Sequence, residues 1–301
     1  MFKGISIYEF RETFQTEENC LEYLSKLKWS EGFHCMKCKN DSFYKGKTKW
    51  NRKCQKCDYD ESVKSNTMFH KMKLPLLKAF EILFTLSVRK KGMSTIEISK
   101  TYAINQNSAW LLKRKAQQAM RTSGNHKLQG KIHVDEITIG GKEKKKQGRS
   151  TDSKKVKLVI ACEVVTNKKG KQTLGNAYAQ VIQAYSSADL KPIFEESIDK
   201  SAKITTDKWT GYLPIIENFD IKQEKSDGGN NFTELNNLVM LLKGWIRGIH
   251  HHVSKEHING YINEYFFKFN RKNSPKSSFN TLLRRMIADK PMFMQVREVC
   301  G

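Results

Sequence analysis

No run of this chain is apolar for long enough to cross a membrane. Its longest candidate, around Phe80 to Val88, is interrupted by Glu81 and closed by Arg89-Lys90-Lys91, well short of the roughly 20 residues a spanning helix needs. A secretory signal and an internal repeat are also missing. Acidic residues are scarce. Against 54 Lys and Arg stand 31 Asp and Glu in 301 residues, a net charge of +23. A field of that sign attracts phosphate backbones and gains affinity by releasing counterions, so nucleic acid is the expected partner and a membrane is not. Paired cysteines are lacking too, because Cys20, Cys162 and Cys300 are scattered singly among the seven. That excludes a disulfide-stapled secreted domain and fits a protein of the reducing cytoplasm, working on chromosomal DNA. Cys20 and Cys162 sit in apolar patterns and read as core residues.

The other four cysteines are organised. Cys35/Cys38 and Cys54/Cys57 form two Cys-x-x-Cys knuckles separated by fifteen residues, a spacing that suits four thiolates around one structural Zn²⁺. Residues 31–63 therefore read as a zinc ribbon, with short β-prone stretches at Ser42-Phe43-Tyr44 and Trp50-Asn51-Arg52-Lys53 between the knuckles. Residues 1–30 precede it as a helical segment in which Phe10, Phe14, Cys20, Leu24 and Leu27 supply an apolar face. Residues 68–123 have the pattern of a helical DNA-binding region. Leu76, Phe80, Leu83 and Phe84 give one helix, and a helix-turn-helix follows, with Ser94 capping its first helix and Asn105 or Asn107 its second. Lys113, Arg114 and Lys115 on that second helix are expected to face DNA.

A polar, glycine-bounded stretch at 124–130 reads as a linker. Beyond it, 131–290 carries β-like runs at Ile132 to Ile139, Val156 to Val165, Asn176 to Ala184 and Ile204 to Asp207, with a helix at Ala188 to Ile198 before the last. Helices follow near Leu235 to Ile249, Lys255 to Phe269 and Ser277 to Ala288, leaving 291–301 as a tail. Antiparallel strands first, a crossing helix, another strand and terminal helices is the order of an RNase H-like α/β domain. Lys142 to Lys157 holds eight basic residues and reads as an exposed hairpin near DNA, with Lys144, Lys145 and Lys146 as contacts.

The candidate chemistry lies at strand ends. Asp135 follows Ile132-His133-Val134, and strand alternation sends Asp135 and Glu136 to opposite faces, so only one is expected to serve a shared site. Asp207 ends Ala202-Lys203-Ile204-Thr205-Thr206. Carboxylates at the ends of neighbouring strands suit Mg²⁺ or Mn²⁺, and paired ions of this kind clamp both oxygens of a phosphoryl displacement.

Several stretches in order resemble the zinc-ribbon insertion-sequence transposases of the RNase H-like superfamily, the ISXO2-like type. They are Trp29-Ser30-Glu31-Gly32-Phe33-His34-Cys35, Thr67-Met68-Phe69-His70-Lys71-Met72-Lys73-Leu74-Pro75, His133-Val134-Asp135-Glu136, Thr206-Asp207-Lys208-Trp209-Thr210-Gly211-Tyr212, Leu242-Lys243-Gly244-Trp245 and the tail from His251 to Arg271. The resemblance covers nearly the whole chain and implies metal carboxylates at Asp135 and Asp207. It also implies a third ligand seven residues before a lysine, which Asn236 and Lys243 satisfy; they share one helix face. Asn236 would otherwise be a helix N-cap, and Glu234 is the rival ligand. Lys243 would meet a DNA phosphate. The implied activity is cleavage of element ends and strand transfer, on double-stranded terminal repeats and target DNA, by at least a dimer. A catalytically silent DNA-binding regulator is the alternative. An RNase H-like nuclease without end preference fits less well, because ribbon and helix-turn-helix imply duplex recognition.

Overall fold

The computed structural model of the chain describes all residues except 123, 125, 141–154, 226, 251–252 and 294–301. The chain divides into two compact units, one made of residues 1–120 and 273–301, the other of 121–272.

The first unit begins with α1 (Ile7–Thr13) and α2 (Glu17–Lys28), two helices where one helical region was expected. Thr16 makes the break. Its hydroxyl accepts from the Asn19 N–H while Asn19 Oδ1 accepts the Thr16 N–H, a reciprocal cap that starts a new helix. The ribbon follows as a small antiparallel sheet of β1 (Phe43–Lys45), β2 (Arg52–Cys54) and β3 (Asp60–Glu61), in that order. A buried ion pair ties it to α2. Lys28 Nζ lies 2.7 Å from Glu61 and donates to the carbonyls of Ser62 and Ser65. These partners satisfy an ammonium group that would be costly to bury alone.

Three helices follow, α3 (Leu76–Val88), α4 (Thr95–Tyr102) and α5 (Gln106–Ala119). Ser94 caps α4 by accepting from the Glu97 N–H, and Asn105 caps α5 by accepting from the Asn107 N–H. Ala103, left-handed at φ 48°, ends α4 and turns the chain into α5, and the two helices pack together. The burial of α5 corrects one expectation. Lys113 and Lys115 do not face solvent or DNA: they are 2% and 5% exposed, and their ammonium groups donate to the carbonyls of Met93 and Met68 at 2.6 and 2.7 Å. Their stems pack in the core and their heads tie down the chain before α3 and α4. Arg114, only partly buried, donates to Gln117 at 2.9 Å and lies over the Trp110 ring.

The second unit is built on a five-stranded sheet. Its elements in chain order are β4 (Lys131–Ile139), β5 (Val156–Thr166), β6 (Gln172–Ile182), α6 (Ser187–Ser197), β7 (Lys203–Thr206), α7 (Leu213–Ile216), β8 (Asp220–Gln223), α8 (Thr233–Ile249) and α9 (Ile258–Phe269). The sheet order is β6-β5-β4-β7-β8, antiparallel from β6 to β4 and parallel from β4 to β8. Alternation sorts the core into two layers. Ile137, Leu158, Ile160 and Cys162 pack under α8 and α9 against Leu238, Leu242 and Ile262. Val134, Val159 and Ala161 pack on the other face against Leu190 and Phe194 of α6 and against Tyr212 and Ile215. This is the RNase H-like α/β arrangement expected from the element order. The short β8 and α7 were not foreseen.

Two boundaries move. The stretch 124–130 is not a tether, because Leu128 is fully buried, donates its N–H to Ser197 O at 2.7 Å and accepts from Asp199 N–H at 2.9 Å. The last helix, α10 (Ser278–Ala288), belongs to the first unit and not to the second. Phe279 explains why. It is buried among Phe2, Phe10, Phe14, Phe80 and Phe84, with ring centroids 5.6 to 6.0 Å away, and Asn280 bonds both the Tyr23 hydroxyl and the Phe2 carbonyl. Replacing Phe279 by Ala should destabilise the first unit by about 4 kcal/mol. Chemical denaturation monitored on that unit checks this, and a loss under about 1 kcal/mol would show that α10 is not part of its core.

Candidate metal centres and active site

Both Cys-x-x-Cys segments turn in the same way. Lys39 N–H bonds Cys35 O and Asp58 N–H bonds Cys54 O, with Lys39 and Asp58 left-handed at φ 64° and 56°. These turns bring four sulfurs within 4.8 Å of one another, with Cys35 and Cys57 at 3.6 Å and Cys38 and Cys54 at 3.5 Å. Tetrahedral Zn²⁺ with bonds of about 2.3 Å sets its sulfurs roughly 3.8 Å apart, so the donor set fits zinc. Four thiolates leave no position open to water, which makes the site structural.

The second constellation sits where the sheet splits. β4 pairs with β7 only over Lys131, Ile132 and His133, then continues to Ile139 with β5 alone beside it. β7 stops at Thr206, and Asp207 follows at the mouth of the gap. A parallel sheet opens a crevice at such carboxyl ends, the usual place for a ligand. Here oxygens of Asp135, Glu136 and Asp207 all lie within 4.8 Å of one another. Glu136 is thus a correction to the sequence reading, which allowed only one of the adjacent pair into a shared site. The alternation itself holds: Val134 belongs to the α6 layer and Ile137 to the α8 layer, so Glu136 and Asp135 leave β4 on opposite faces. β7 parts from β4 after the His133–Thr205 pair and ends one residue later at Thr206, and oxygens of both side chains come within 4.8 Å of the Asp207 carboxylate.

The support around Asp207 is tight. Its Oδ1 accepts from Trp209 N–H at 3.1 Å, an Asx turn. Gln223, at the end of β8, donates to the carbonyls of Asp207 and Trp209 at 3.1 and 2.8 Å. Trp209 donates from its indole to Tyr185 O at 3.0 Å. On the α6 side, the fully buried phenol of Tyr212 is held well above its ordinary pKa by burial and then by the charges of Glu136, Asp135 and Asp207. His133 is also buried, which pushes it down to about 4 and keeps it neutral.

α8 supplies the opposite wall. Lys243 is half-buried; burial and Arg247 lower its pKa, and Asp135 pulls the other way. Asn236 is exposed on the first turns of α8 and donates to Gly229 O at 3.0 Å. It is not an N-cap, because α8 already starts at Thr233. Gly229, at φ 89°, sits in a conformation that favours glycine, and a Cβ there would displace the Asn236 amide from its 2.6 Å approach. Glu234 is not among the converging carboxylates. Lys144, Lys145 and Lys146 lie outside the described residues. Of the histidines grouped near the end of α8, His250 stacks on Tyr261 with centroids 3.7 Å apart, a packing role, while 251 and 252 lie outside the described residues.

Sequence reading missed Glu136, Tyr212 and Gln223 as members of this site. Glu136 was visible in the motif but set aside by alternation, whereas Gln223 lies on a strand too short to register. For the thiolate centre, replacing Cys38 or Cys57 by Ser should reduce zinc content from about one ion per chain to none and unfold the ribbon, since such sites couple binding to folding. Elemental analysis of the purified variants checks it, and full zinc occupancy in both would rule out four-cysteine ligation.

Residues 127–270 match the ISXO2-like transposase domain, and residues 15–60 match the transposase zinc-ribbon domain. No curated protein sequence matches the chain. The first match spans the split sheet with all three carboxylates, and the second takes in both cysteine knuckles. With the two domains in this order on one chain, the protein belongs to the zinc-ribbon insertion-sequence transposases of the ISXO2-like type.

Proposed function

We propose that the protein is an active DNA transposase that binds the terminal repeats of its own element, cleaves them and joins them to target DNA. The observation carrying this reading is the convergence of Asp135 and Asp207 at adjacent strand ends inside the transposase domain. The donors suit Mg²⁺ or Mn²⁺, being hard oxygens with room for retained waters, and Asn236 is the neutral third ligand of the proposed set. Bound there, divalent cations supply Lewis-acid activation of water and then of a DNA 3′-hydroxyl, together with neutralisation of phosphate charge. Asp135 and Asp207 fix the cation positions, and Gln223 and the Asx turn hold Asp207 in place as charge builds at the phosphate. Lys243 meets a DNA phosphate as a point charge from α8. No side chain has to form a covalent bond to DNA.

End recognition falls to the ribbon and to α4 and α5 acting as a helix-turn-helix. With Lys113 and Lys115 buried, the exposed start of α5, Gln106, Asn107 and Ser108, is the part suited to base edges. The excess positive charge supplies the sequence-independent affinity. Pairing two ends calls for at least a dimer, acting on chromosomal DNA in the cytoplasm. One observation favours the silent-regulator alternative: Asn236 brings no charge and its amide nitrogen is engaged by Gly229.

Labelled DNA from the flanks of the element, incubated with Mg²⁺ or Mn²⁺, separates the two. The transposase reading expects nicking at a discrete terminus followed by joining, and Asp207→Asn should lower the rate by more than roughly 100-fold, beyond the loss of a mere outer-shell partner. Tight binding without nicking under either metal would establish the regulator instead. In the same system, Lys243→Ala should weaken end binding at low salt and reduce the salt slope of log K by about 1. An unchanged slope would remove Lys243 from the phosphate contacts.

A further inference from the structure

Arg52 stands on β2, the middle strand of the ribbon sheet, and its guanidinium lies over two aromatic rings. Its central carbon is 4.4 Å from the centroid of the buried Trp29 ring and 4.2 Å from that of Phe43, which is 41% exposed on the edge strand β1. Ring faces attract the cation and fix its position, but they offer no lone pairs in good geometry to the five N–H donors of an arginine. The fold supplies none either. Among the described residues the Arg52 side chain has no hydrogen bond and no ion pair; burial lowers its pKa, and no neighbouring acid raises it again. An arginine in this state keeps its charge and holds a planar fork ready for an acceptor from outside.

The surrounding charges point to an anion. Directly across from Arg52 on β1 is Lys45, on the same face of the sheet, exposed and likewise without a side-chain partner among the described residues. Like charges at opposed positions, with Cβ atoms about 5 Å apart, destabilise a sheet unless an opposite charge joins them. The nearby acids are already taken. Glu61, across from Arg52 on β3, is buried with Lys28 at 2.7 Å; Asp58 pairs with Lys53 at 2.8 Å; Asp60 accepts from Asn51 at 3.2 Å and from the Lys47 N–H at 3.3 Å. A phosphate suits what remains, because its paired oxygens match the guanidinium fork and its charge relieves both cations. We propose that Arg52, with Lys45 beside it, is the ribbon's contact for a backbone phosphate of duplex DNA. This rests on the reading of the ribbon as a DNA-binding module, and Trp29 and Phe43 serve it by holding the fork in place before DNA arrives.

The test is fluorescence anisotropy of two labelled duplexes, one from the element's flank and one of unrelated sequence, titrated with the full-length, zinc-loaded chain over a series of salt concentrations. Wild type, Arg52→Gln, Arg52→Lys and Lys45→Ala are compared, with zinc content and thermal melts to establish that each ribbon is folded. Arg52→Gln should weaken both duplexes by about tenfold at low salt, the size of a lost charge-assisted hydrogen bond, and lower the salt slope of log K by about 1. Arg52→Lys keeps the charge and loses the fork, so it should retain most of the slope while binding less tightly than wild type. Lys45→Ala should weaken both duplexes by less than Arg52→Gln does. Wild-type affinity and slope in Arg52→Gln, with both duplexes still bound, would overturn the proposal and leave DNA binding by the chain standing. A loss confined to the flank duplex, with the slope unchanged, would overturn it in favour of a base-edge contact. If wild type binds neither duplex, the proposal fails together with the reading of the ribbon. Should the Arg52 variants not fold, Lys45→Ala decides: affinity and slope equal to wild type would overturn the phosphate site.

Discussion

The pairing of β4 with β7 stops at His133, and the chemistry of the second unit depends on that stop. Had β7 run on beside β4, its backbone would separate the two faces of the sheet, and Asp135 and Glu136 would point into different layers of the core. Because it ends at Thr206, Asp207 swings into the gap and the adjacent acids of β4 reach it from both sides. The layers beneath are ordinary apolar packing, α8 and α9 on one face and α6 with Tyr212 on the other. Their work is to hold the split open at a fixed width. A cluster of like charges is costly to assemble, and only a rigid surround of this kind keeps it poised for a cation.

Much of this was legible in the residues. The four cysteines were readable from spacing alone, because tetrahedral thiolate ligation demands short Cys-x-x-Cys turns, and the knuckles at Lys39 and Asp58 supply them. The strands of the large domain were readable from β-branched runs, and Asp135 and Asp207 from their places at strand ends. Glu136 was not, since a period of two says which face a side chain leaves but not where the neighbouring strand stops. Lys113 and Lys115 misled for a related reason: a basic side chain on a helix advertises a surface, yet these two extend through the core to reach Met93 and Met68 carbonyls. The α10 boundary was hidden because Phe279 finds its partners near the other end of the chain, and contacts of such sequence separation leave no local signal.

The thiolate site and the proposed carboxylate site divide structure from chemistry. Sulfur ligands close the ribbon site, and the cation there holds a fold that a few short strands could not hold alone. Oxygen ligands, in the proposed reading, would leave the crevice site open to water and phosphate. The first unit spends its positive charge partly inside, as Lys28 with Glu61 and the buried lysines of α5, so net charge overstates what is available to DNA. Exposed lysines of the ribbon, among them Lys45, Lys47 and Lys49, carry part of the remainder.

The account stands or falls on a cation in the crevice between β4 and β7. Crystals of the zinc-loaded chain soaked in Mn²⁺, with data collected at the manganese edge, test it directly. The account predicts an anomalous peak within about 2.5 Å of oxygens from Asp135 and Asp207. A peak bound elsewhere, or none in the crevice at saturating Mn²⁺, would contradict it.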